Sequence, residues 1–123
     1  MLSPGITEYP DHKVRTEKIK GRVEIFMDGE RVVDTVDALK LFEDGHEPRI
    51  YVPRSAIRNL ELLKFDDYHC PFKGRAELLN VKHGSQVHEN AAWSYRQTYD
   101  DMAEIEDLVA FYPNRVQECR ITG

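Results

Sequence analysis

The chain has 123 residues, 41% hydrophobic and 32% charged, with a formal net charge of −5. That length sets one domain with a core of its own, since a chain of this size buries roughly two-thirds of its unfolded surface. The acidic balance speaks against nucleic acid as a partner, because gripping phosphates needs a basic face, and no apolar run is long enough to span a membrane.

Residues 1–18 carry little hydrophobic pattern, and Pro4, Gly5 and Pro10 mark them as a flexible N-terminal arm before a single domain over 19–123. The charges around Lys13, Arg15, Lys18, Lys20 and Arg22 are interrupted by Glu8, Asp11 and Glu17, the pattern of a solvated arm and edge strand. Val23 and Ile25 alternate with Arg22 and Glu24, which predicts a half-buried strand. Asp28-Gly29 then favours a tight hairpin, and Arg31–Thr35 returns antiparallel. Further strands are expected at Ala38–Phe42 and Arg49–Val52, separated by the polar turn 43–48. Pro53 suits the first turn of a helix over Arg54–Leu60, with Ile57 and Leu60 inward. Glu61–Phe65 reads as a strand, and Phe72–Val81 with Val87–Tyr95 as a hairpin turning at His83-Gly84-Ser85. Thr98 and Asp101 have the spacing of a capping box and open a short helix that buries Met102 and Ile105. Val109–Tyr112 and Val116–Ile121 close the chain as strands. The start, Met1-Leu2-Ser3-Pro4-Gly5, lacks the basic and apolar segments of a signal peptide, so a cytoplasmic location is expected. Cys70 and Cys119 are too few for a disulfide scaffold and read as free thiols.

Four motifs stand in order along this pattern: Ile50-Tyr51-Val52-Pro53-Arg54, His69-Cys70-Pro71-Phe72-Lys73-Gly74-Arg75-Ala76, Ala91-Ala92-Trp93-Ser94-Tyr95 and Val109-Ala110-Phe111-Tyr112. In order and spacing they resemble the bacterial domain-of-unknown-function family numbered 427, which also carries a nucleotidyltransferase-type label. The elements above make a mostly β chain with two short helices, and the resemblance implies the β-tent architecture of two antiparallel sheets. It implies no agreed chemistry.

The residues themselves allow three functions. Tyr51, Phe72, Trp93, Tyr95 and Tyr112 can wall a pocket between the sheets for a small planar or cationic ligand, with Lys73 and Arg54 holding a polar end. The same rings can equally fill the core of a small β domain. Alternatively, Lys73 or His69 can lower the thiol pKa of Cys70 and make it a nucleophile, giving a hydrolase or transferase on a nucleotide-like substrate through Cys70 or Lys73. The third possibility is an interaction domain that pairs an exposed edge strand with another subunit. No cofactor is expected, and no metal: zinc wants about four converging ligands, and there is no Cys-x-x-Cys. Gly84-Ser85 followed by Asp100-Asp101 is a poor match to nucleotidyl transfer, because adjacent carboxylates diverge where paired metals need them to converge.

Overall fold

The computed structural model describes the whole chain, Met1–Gly123. A small sheet is built from β2 (Arg22–Met27), β3 (Glu30–Thr35) and β10 (Glu118–Thr122), in the order β10-β2-β3. Every second residue of β2 is buried, as the alternation of Val23, Ile25 and Met27 requires. The β2–β3 turn has positive φ at both Asp28 (49°) and Gly29 (84°), the conformation whose twist suits a two-residue hairpin.

The large sheet has seven strands in the order β1-β4-β5-β9-β8-β7-β6, all pairs antiparallel. Its members are β1 (Val14–Lys18), β4 (Leu39–Glu43), β5 (Arg49–Val52), β6 (Glu61–Cys70), β7 (Gly74–His83), β8 (Gln86–Thr98) and β9 (Val109–Phe111). The protein is thus mostly β, with two antiparallel sheets that do not close into a barrel. Between β6 and β7 the chain reverses within Pro71-Phe72-Lys73, and Gly74 adopts φ +126°. A Cβ there would lie 2.1 Å from the Gln97 carbonyl oxygen, so only glycine fits.

Two apolar clusters flank the large sheet. The first, with Val23, Ile25, Val33, Val52, Val81, Val109 and Phe111, fills the space between the sheets. The second, with Tyr51, Trp93, Tyr95, Met102, Ile105 and Ala110, lies on the opposite face and takes nothing from the small sheet.

Three expectations need revision. The boundary at residue 19 moves: Val14–Lys18 is β1, paired with β4, and Pro4–Glu8 forms the short helix α1. An edge strand held by backbone bonds on one side needs no apolar alternation, which is why this stretch read as an arm. The helix expected over Arg54–Leu60 is a single 3-10 turn, Arg54–Ala56; Ile57 instead bridges Val33, and Asn59 takes φ 59°. The second helix is a 3-10 segment, Asp100–Ile105, that buries Met102 and Ile105 as expected. Its capping box is absent: Asp101 accepts from the backbone N–H and hydroxyl of Ser3, at 3.0 Å each, and Thr98 donates to Glu106.

Candidate functional site

A ring-lined cleft of about 280 Å³ opens on the face of the large sheet turned away from the small one. The aromatic pocket expected between the sheets is therefore not there; that space holds the first cluster and, at its edge, a smaller groove of about 80 Å³ lined by Ile25, Phe111 and Cys119. Strand alternation decides the matter. On β5, Val52 enters the inter-sheet core and Tyr51 faces the cleft; on β8, Ala92 and Trp93 divide the same way.

The cleft is shaped by Tyr51, Tyr68, Trp93, Tyr95 and Tyr112. Three of these rings are locked to one another. The Trp93 indole N–H donates to the Tyr51 hydroxyl at 3.0 Å, and the two rings meet edge to face at 6.1 Å. Tyr112 tilts against Trp93 with centroids 4.5 Å apart. Burial pushes the hydroxyl pKa values of Tyr51 and Tyr95 well above the ordinary phenol value, so both stay neutral.

Charged groups stand around the rings. Lys73 is buried and donates to Glu43, whose other oxygen lies 2.9 Å from His12 Nε2. Burial alone would raise the Glu43 carboxyl; the hydrogen bonds from Lys73 and His12 outweigh it and hold the carboxyl below its ordinary value. Arg49 sits with its guanidinium carbon 5.7 Å from the Trp93 ring and 5.9 Å from Tyr112. Cys70 is buried on the cleft wall.

Of the residues singled out from sequence, Tyr51, Trp93, Tyr95, Tyr112, Lys73 and Cys70 converge on this cleft. Three do not. Phe72 lies over Gly5 and packs on His12 and Tyr9, with centroids at 4.4 and 6.0 Å. Arg54 is outside the cleft, its Nε donating to the Asp107 carbonyl at 3.0 Å; its buried Nη2 has no partner, and burial with the nearby Arg96 charge lowers its pKa. His69 is exposed, 2.7 Å from the Tyr99 hydroxyl, and its neighbour on β6, Cys70, faces the other way. Ser94 is structural: its hydroxyl donates to the Leu108 carbonyl at 2.7 Å.

Sequence reasoning missed Tyr68, Arg49 and Glu43, along with His46 and Glu47 at the rim. A signal existed for each of the first three. Tyr68 is two residues from Cys70, Arg49 two from Tyr51 and Glu43 two from Leu41, and residues two apart on a strand share a face.

No group of three or more His, Cys, Asp and Glu side chains converges as a metal site. Asp100 accepts from the N-terminal amine and Asp101 from Ser3, so this carboxylate pair holds the start of the chain. The family model described as a domain of unknown function (DUF427), with the short label NTP_transf_9, matches residues 15–122. No curated protein matches the chain.

Proposed function

We propose that this chain, which belongs to the DUF427 family, is a small-molecule-binding module whose site is the aromatic cleft on the outer face of its large sheet. The observation that carries the reading is the cleft itself: about 280 Å³ left open beside rings that are already fixed by their own contacts. A wall ordered before the ligand arrives spares the cost of ordering it on binding. The volume falls just under the usual range for drug-sized ligands, roughly 300–1,000 Å³, which suits a compact planar metabolite. Unpaired thiols at Cys70 and Cys119 fit a bacterial protein in a reducing cytoplasm.

A second reading is an enzyme acting through Cys70, favoured by the place of that thiol on the cleft wall. Against it, the Lys73 amine is engaged by Glu43 and His69 faces away, so neither group is free to activate the sulfur. A thiol-labelling rate across pH separates the two: a fast, acid-shifted Cys70 supports the enzyme, and a slow one removes it.

Trp93 is the sole tryptophan, so its emission reports on the cleft. A set of planar fragments titrated against the protein should include some that change this emission saturably, and Tyr112→Ala should weaken them. Emission unmoved by every fragment, or changes that persist unaltered in Tyr112→Ala, would overturn the proposal.

A further inference from the structure

Building on that reading of the cleft, we infer that its ligand is a planar monoanion, a small aromatic or heteroaromatic carboxylate, and that Arg49 is the residue that captures the charge.

Of the cations near the site, Lys73 is neutralised by Glu43 in a contact where both side chains are nearly buried. Arg54 lies elsewhere. Arg49 alone has neither an ion pair nor a hydrogen bond to any side chain or carbonyl of the protein, although it is half-buried at the cleft. Its guanidinium is held over two ring faces, those of Trp93 and Tyr112, at 5.7 and 5.9 Å. With no acceptor in the protein, its N–H groups are free for a ligand. They can donate two parallel hydrogen bonds to a carboxylate.

The same contact argues against a ligand cation. Arg49 already lies within cation–π reach of Trp93 and Tyr112. A second cation would meet the guanidinium as a like charge. The acids of the site set the upper limit on ligand charge. Glu43 is committed to Lys73 and His12, but Glu47 stands exposed at the rim with no ion-pair partner. One anionic group beside Arg49 is matched, whereas a polyphosphate would bring uncompensated charge towards Glu47. The cleft therefore favours a flat acid over a nucleoside triphosphate.

Matched pairs of probes test this: benzoate against benzamide, and indole-3-carboxylate against indole-3-carboxamide, titrated by calorimetry into wild-type protein, Arg49→Gln and Arg49→Lys. The acids should bind about tenfold or more tighter than the amides, the scale of one charge-assisted hydrogen bond. Arg49→Gln should abolish the preference. Arg49→Lys should keep part of it, since an ammonium holds the charge but not the bidentate geometry. Acids and amides that bind equally, or a preference that survives Arg49→Gln, would overturn the inference. So would a cleft that binds neutral planar fragments and none of these acids; in that case the binding function stands and only the anion assignment falls. If no planar compound of any charge binds, the cleft reading itself fails.

Discussion

Replacing Tyr51 by Phe removes one oxygen atom from the centre of the site. The Tyr51 hydroxyl accepts the Trp93 indole N–H at 3.0 Å, and the two residues are only 1% and 8% exposed. The phenylalanine ring keeps the edge-to-face contact, so packing is almost conserved, but the indole N–H is left with no acceptor where water scarcely reaches. An unsatisfied buried donor costs about 1–3 kcal/mol. For a domain of this size each kcal/mol lowers Tm by about 3–6 °C. Thermal and chemical melts of Tyr51→Phe should show that loss, with Trp93 emission shifted because its N–H environment has changed. Trp93→Phe removes the donor, and in the double variant the missing hydroxyl no longer strands anything, so the two losses should fall short of additive. Unchanged stability and emission in Tyr51→Phe, or strict additivity in the cycle, would refute the bond as the element that locks the cleft wall.

Lys73→Met should lose about 3–5 kcal/mol, the scale of stranding one partner of a buried pair, and adding Glu43→Gln should recover part of it in urea melts. The Glu43 carboxyl is held below its ordinary value, so its contribution is present above the ordinary carboxylate pKa of about 4.3 and disappears as pH falls through the lower folded value; acid melts of Glu43→Gln should lack this step. His83 places Nδ1 2.9 Å from Asp28 and Nε2 2.8 Å from Glu30, and a carboxylate on each side raises its pKa, first Glu30 and then Asp28. This clasp ties the β2–β3 turn to the tip of the β7–β8 hairpin; its contribution is complete below the unfolded histidine value of about 6.5 and fades as pH rises through the raised folded value. An NMR titration should find His83 charging above that value, and His83→Gln should flatten the stability profile there; a normal His83 midpoint would refute the clasp. Gly74→Ala should cost more than the equivalent change at Gly29, because its Cβ would lie 2.1 Å from the Gln97 carbonyl whereas Gly29 has open space around it; equal Tm values for the two variants would contradict this.

The sequence signals that proved legible were local ones. Asp28-Gly29 between two alternating runs marked its hairpin, and the buried positions of β2 followed from alternation. What stayed hidden depended on distant partners. The sequence Arg15-Thr16-Glu17-Lys18 carries no apolar signal, because β4 supplies the pairing that makes it a strand. The second half of β6, with Asp66, Asp67 and His69, reads as polar because it is an exposed edge strand, so Tyr68 was lost from the cleft with it. Four of the five expected rings do line the cleft, yet which face of the sheet they share was not readable from the motifs. Lys73 was expected to be free for a ligand; Glu43, thirty positions away in sequence, takes its charge. That pairing left Arg49, two residues before Tyr51, as the cation without a partner.

The claim on which the rest depends is that the outer aromatic face of the large sheet, and not the space between the sheets, receives a ligand. Chemical-shift mapping of isotope-labelled protein with the tightest planar fragment tests it directly. The expected result is a saturable perturbation centred on the Trp93 indole N–H, Tyr112, Tyr68 and the Arg49 side chain, with Val23, Val33 and Val81 in the inter-sheet core unmoved. Perturbations gathered instead around Ile25, Pro113 and Cys119, where a smaller groove lies, or no saturable perturbation at all, would contradict it.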